Sequence, residues 1–143
     1  MLYAAYGSNM NLNQMKYRCP NSGVVGNGIV SGYELVFNVH ADIIKSDDSY
    51  VPVVVWNIDD DDWDSLDAYE GYPDYYIKDT VSVTMDNGDV YKAVAYMMGD
   101  NAKGVYPPNQ SYFDCIIEGY EQNNIDDKKC LYEALDYSID YIN

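Results

Sequence analysis

Two short stretches carry side chains that could do chemistry. One is "LDAYEGYP", in which Glu70 follows Trp63 by seven residues and Leu66 by four. Drawn as a helix at about 100° per residue, the segment from Asp59 to Gly71 gathers Trp63, Leu66 and Tyr69 into one apolar stripe, and Glu70 falls inside it. Asp60, Asp61, Asp64 and Asp67 point elsewhere. A carboxylate on the inward face loses hydration, and at a helix C-terminus it also meets carbonyl ends; both effects raise its pKa toward neutrality, where it can take and return a proton. The same pattern also fits a stripe-edge glutamate reaching water or a helix-end donor.

The other stretch is "AAYGSNMN", residues 4–11, an apolar strand running into a tight turn. A turn of this kind aims free backbone N–H groups beyond the strand end and suits an anion. It also fits an ordinary strand-to-helix connection with Asn9 as cap. The remaining candidates are weaker. His40 stands alone in an expected loop, with no serine or cysteine pattern to make it a base, and reads as exposed or structural. Asp59–Asp62 lack the glycine and terminal glutamate of a calcium loop and read as helix caps, so no metal site is expected.

The elements that would position these residues are legible in outline. Leu2–Tyr6 reads as a buried strand, followed by a short helix capped by Asn9 or Asn11 and ending before Pro20. Val24–Asn38 reads as strand bent at Gly26, Gly28 and Gly32, residues 38–50 as a loop, and Val51–Ile58 as a strand buried on both faces. Gly71 and Pro73 end the Asp59 helix. Tyr75–Met85 and Val90–Met98 form a hairpin through the Asn-Gly turn of "DNGD". Two helical stripes close the chain, one of Phe113, Ile116, Ile117 and Tyr120, the other of Leu131, Leu135, Ile139 and Ile142. Strands first and longer helices last predict an α+β domain spanning 1–143, with a small, curved mixed sheet or barrel flanked by helices.

Composition narrows the partners. The chain has 143 residues, a net charge of −16 and one arginine. No basic stripe exists for nucleic acid or an anionic membrane surface, and no apolar run reaches membrane-span length. Cys19, Cys115 and Cys130 are odd in number and form no CxxC pair, which suits reduced thiols in a cytoplasm, without disulfide or zinc.

Taken together, "YAAYGSNMN", "VVVWNI" leading to "LDAYEGYPDYY", "AVAYMM" and "YPPNQSYFDCIIEGY" resemble the γ-glutamylcyclotransferase family, including its AIG2-like branch, over most of residues 2–120. The resemblance implies a small mixed β-barrel flanked by helices and an acyl-transfer lyase that needs no metal or organic cofactor. In that reaction the α-amine of a small-molecule γ-glutamyl substrate attacks its own γ-amide carbonyl, releasing 5-oxoproline and an amine. By motif match Glu70 becomes the proton carrier. Tyr3, Ala4, Ala5, Tyr6, Gly7, Ser8 and Asn9 cradle the glutamyl group; Tyr112 closes over it, and Tyr76 and Tyr96 line the cavity. The family tends to carry glycine where this chain has Val53, which puts the pocket's dimensions in question. Unless Arg18, Lys16 or Lys45 reaches the pocket, a γ-glutamylamine or neutral γ-glutamyl dipeptide suits it better than glutathione. The competing readings are a binding module that holds a small carboxylate without turnover, and an interaction protein with a tyrosine-rich surface and a vestigial pocket.

Overall fold

A computed structural model describes residues 1–143. Five strands close into a barrel in the order β1-β3-β2-β4-β5. They are β1 (Leu2–Ala5), β2 (Gly23–Asn38), β3 (His40–Asn57), β4 (Ile77–Met85) and β5 (Val90–Met97). Neighbours run antiparallel except where β1 meets β5, whose parallel contact at Tyr3 and Val94 closes the barrel. Helices α1 (Leu12–Arg18), α2 (Trp63–Glu70), α3 (Gln110–Gln122) and α4 (Lys129–Ile142) surround it. The mixed α+β barrel flanked by helices is the expected architecture. No helix is long and apolar enough to cross a membrane.

The expected loop at 38–50 is instead the first part of β3. The chain reverses over a single residue, Val39, in the left-handed conformation (φ 70°), and Asn38 pairs with His40. Tyr106 supports this tip from the side, accepting from Val39 N–H at 2.9 Å and donating to the Phe37 carbonyl at 3.0 Å. The stretch reads as loop because Lys45–Ser49 is polar, yet Ala41, Asp42 and Ile43 are buried and β2 pairs alongside. The register shifts fall at Val24/Gly26 and Ser31/Tyr33, beside two of the three glycines expected to bend the strand. Tyr75 and Tyr76 lie ahead of β4 rather than in it. The buried line of α4 runs through Leu131, Ala134 and Ser138, leaving Ile139 and Ile142 exposed.

Val53 does not narrow the cavity described below. It is buried in the sheet opposite Gly28, and a Cβ on Gly28 would sit 2.6 Å from the Thr84 carbonyl oxygen and from Val83 Cγ1. The close approach that a glycine permits is therefore made one strand over, between β2 and β4.

Three contacts hold the first turn, Ser8–Met10, against the barrel. The Trp56 indole donates to the Asn9 carbonyl at 3.0 Å, and Asn123 Nδ2 donates to the Met10 carbonyl at 2.9 Å. The third is backbone contact with α3 at Gly119, where an added Cβ would lie 2.9 Å from Asn11 N and Met10 C. Those are rigid main-chain atoms, so the helix can sit there only as glycine. Gly119→Ala is expected to lower stability by about 1–3 kcal/mol through overpacking. Gly23→Ala, with open space around it, should change stability by less than about 0.5 kcal/mol. Urea unfolding of both variants checks this, and equal midpoints would contradict it.

Candidate active site

The turn and the end of α2 meet at the mouth of a cavity of about 410 Å³. Asn11, not Asn9, caps α1, its side chain accepting from Asn13 N–H and Gln14 N–H. That leaves the Asn9 side chain free to point inward. Its Nδ2 donates to Glu70 Oε1 at 2.9 Å and to the Tyr3 hydroxyl at 3.1 Å, while its Oδ1 accepts from Arg18. Gly71, with φ 66°, stops α2 immediately after Glu70; its N–H donates to the Ala68 carbonyl and that of Tyr72 to the Asp67 carbonyl. The glutamate is thereby fixed as the last helical residue, with Oε2 making no hydrogen bond to protein.

Trp63 and Leu66 face inward as the helical stripe requires, while Tyr69 lines the cavity from its rim, its hydroxyl 3.3 Å from Ser8 Oγ. It is 45% exposed, and the Arg18 guanidinium lies 3.3 Å from its ring centroid. Arg18 is therefore spent on Tyr69 and Asn9 and does not line the cavity, nor do Lys16 or Lys45.

The structure brings Tyr3, Tyr6, Gly7, Ser8 and Asn9 together with Glu70 along the cavity wall. Tyr76, Tyr96 and Tyr112 line it too. Ala4 and Ala5 do not: they are buried in β1, paired with Val55 and Val54, and serve the sheet rather than the cavity. Most of the tyrosine hydroxyls are committed. Tyr6 donates to the Tyr96 carbonyl, Tyr76 donates to the Ala41 carbonyl at 2.6 Å, and Tyr112 accepts from Ala41 N–H at 3.0 Å. Burial pushes the phenols of Tyr3, Tyr6, Tyr76, Tyr96 and Tyr112 upward, so they stay neutral. The Gly7 N–H donates to no protein acceptor, and the N–H groups that open a 3-10 turn have no partner within it. These donors border the cavity.

Sequence reasoning missed His40, Ala41, Tyr69, Gly71 and Tyr75 as lining residues. His40 lines the rim, its Nδ1 lies 2.7 Å from the Tyr75 hydroxyl, and its ring meets Tyr112 edge-on at 5.0 Å. Burial lowers its pKa, so it is neutral at pH 7. The missing signal was the hairpin: once 38–50 is strand, its first residue lands beside the cavity.

The ionisation of Glu70 is set by opposing effects. Desolvation dominates and pushes the carboxyl up to about 7, against the charge of Arg18 and the hydrogen bond from Asn9. Asp42, a fully buried carboxylate nearby, differs in kind. It accepts from Met98 N–H and Ile43 N–H, does not line the cavity and is tied into the fold. The Asp59–Asp62 run splits: Asp59 accepts from Asp61 N–H, and buried Asp62 holds Asn21 N–H at 2.9 Å and the Ser22 hydroxyl at 2.8 Å.

A family model described as gamma-glutamyl cyclotransferase, AIG2-like, matches residues 3–114. Among solved structures, one described as gamma-glutamyl cyclotransferase is similar with a TM-score of 0.78 at 23% identity, covering 92% of this chain and 84% of that one. An uncharacterized protein from Homo sapiens gives 0.78 at 24% identity with the same coverage. YkqA from Bacillus subtilis gives 0.70 at 24%, covering 85% of this chain and 48% of the other. At these identities the likeness is one of fold. No curated protein matches the chain.

The raised carboxyl has a consequence for stability. Folded Glu70 holds its proton more tightly than the unfolded residue, so its contribution is fully present below about pH 4.5 and is lost as pH rises through about 7. Glu70→Gln cannot ionise and escapes that loss. Relative to wild type, the variant should gain up to about 3 kcal/mol between pH 4.5 and 8 in urea unfolding. A difference independent of pH would contradict the desolvated setting of Glu70.

Proposed function

Because the chain belongs to the gamma-glutamyl cyclotransferase, AIG2-like family, we propose that it cyclises the γ-glutamyl group of a γ-glutamyl amide to 5-oxoproline and releases the amine, with Glu70 as proton carrier. The observation that carries this reading is a carboxylate poised near neutrality, with one oxygen on Asn9 and the other free, lining the same cavity as the first turn and its unpaired Gly7 N–H.

The chemistry asks for proton traffic in both directions. The α-ammonium of the substrate must shed two protons to become a lactam N–H, and the departing nitrogen must gain two to leave as an ammonium. Glu70 takes the first proton, freeing the α-amine lone pair to attack the γ-carbonyl carbon. The carbonyl electrons move onto oxygen, and the Gly7–Asn9 turn offers the dipoles that meet that developing charge or the α-carboxylate. As the tetrahedral centre collapses, the bond to the departing nitrogen breaks and Glu70 passes its proton there; the second proton follows from the ring nitrogen by the same carboxylate. A group with pKa near 7 suits both halves, since neither transfer is steeply uphill. Ring closure is intramolecular, so folding the substrate between Tyr3, Tyr6, Tyr76, Tyr96 and Tyr112 removes much of the entropic barrier.

The cavity also speaks to the substrate. No lysine or arginine lines it, His40 is neutral, and the whole chain carries −16. A leaving group bearing its own carboxylate finds no cation there, which favours a γ-glutamylamine over γ-glutamyl peptides such as glutathione. Glu70→Gln is expected to cut 5-oxoproline release at least about a hundredfold, the low end for loss of a general acid–base group, while retaining affinity for the γ-glutamyl amide in calorimetry. Retained turnover in this variant would remove Glu70 from the role. Binding without product in the wild type would favour the non-catalytic binding module.

A further inference from the structure

Asp67 lies one helical turn before Glu70 on α2, yet it does not line the cavity. Its carboxylate is fully engaged: Lys78 Nζ lies 2.8 Å from Oδ1 and 2.9 Å from Oδ2, and the Tyr96 hydroxyl donates to Oδ1. Lys78 is itself confined. Its ammonium lies 4.4 Å from the Tyr72 ring centroid, 5.2 Å from that of Trp63 and 5.8 Å from that of Tyr96. Lys78 and Tyr96 are also directly paired across β4 and β5.

An ion pair with side chains 27% and 23% exposed contributes little net stability. What this one supplies is orientation. The phenol it holds is the same Tyr96 whose ring packs edge-on against Tyr3 at 5.6 Å and whose carbonyl accepts from the Tyr6 hydroxyl. Tyr3 in turn accepts from Asn9, the residue that holds Glu70. The Tyr96 ring, and the Tyr3 ring packed against it, thus depend on one hydroxyl being held from outside, while the Tyr96 carbonyl that Tyr6 uses is fixed by the β4–β5 pairing.

We propose that Asp67 is a positioning residue for the cyclisation: clasped by Lys78, it anchors the Tyr96 hydroxyl and so fixes the wall against which the γ-glutamyl group is folded. This rests on the cyclotransferase reading above. Asp67 itself exchanges no proton with substrate, because both of its oxygens face Lys78 and Tyr96.

Tyr96→Phe removes the anchor while keeping the ring; Asp67→Asn removes its charged acceptor. Each should raise KM for a γ-glutamyl amide about tenfold, equivalent to about 1.4 kcal/mol of lost binding, and change kcat less than about threefold. The inflection of kcat/KM against pH set by Glu70 should not move. The double variant should be no worse than either single one, because both cut the same link. A merely structural loss would instead lower the active fraction at constant KM, and either unchanged KM or additive effects would overturn the proposal. If Asp67→Asn does not fold, Tyr96→Phe alone carries the KM test. If the wild type releases no 5-oxoproline, the cyclotransferase reading fails, and the anchor is then judged by NMR of a ¹³C-labelled Tyr96 ring. Faster ring flipping in Asp67→Asn than in wild type supports it; identical ring dynamics overturns it.

Discussion

Burying a carboxylate is the costly act around which this molecule is arranged. Glu70 loses most of its water at the end of α2 and receives in exchange one amide hydrogen bond from Asn9 and the field of Arg18, which does not touch it. A closer cation would have returned the group to the ordinary carboxylate range, and no partner at all would have left it protonated well above neutrality. The guanidinium is held off by stacking on Tyr69 and by spending its hydrogen bond on Asn9 Oδ1. The result is a group near 7, where proton uptake and release are both accessible.

That compromise depends on distances the rest of the fold must keep. Gly71 ends the helix so that Glu70 is its last residue, and Gly119 lets α3 press against the turn that presents Asn9. Trp56 reaches across from β3 to hold the Asn9 carbonyl. Barrel closure between β1 and β5 puts Tyr3 beside Tyr96. Each is a local requirement of packing or backbone geometry; together they bring a helix end and a strand-to-helix turn 61 residues apart into hydrogen-bond contact.

Much of this was legible in the sequence because it rests on periodicity and punctuation. The 3.6-residue stripe through Trp63 and Leu66 pointed Glu70 inward, and the Asn-Gly turn marked the β4–β5 hairpin. Misreadings came where tertiary pairing overrides local character. Lys45–Ser49 is polar enough for a loop, but β2 pairs alongside and keeps the segment extended, which carries His40 to the cavity rim. Tyr69 fits the apolar stripe, yet it lies at the cavity rim, 45% exposed, where Arg18 stacks on its ring. Ala4 and Ala5 sit within the motif that resembles the family, but strand alternation and pairing commit them to the sheet. Val53 drew attention as a missing glycine, whereas the close approach is made by Gly28 across the strand pair. In each case the deciding neighbour is distant in sequence, where pattern along the chain is blind.

The most direct measurement is the pH dependence of kcat/KM for 5-oxoproline release from a γ-glutamylamine, which reports the free enzyme's essential base. If a half-hidden Glu70 takes the first proton, log kcat/KM rises with unit slope and breaks near pH 7; in Asn9→Ala, which strips away the hydrogen bond favouring the ionised form, the break moves to higher pH. A break at an ordinary carboxylate value, or the same break in both proteins, would contradict the account.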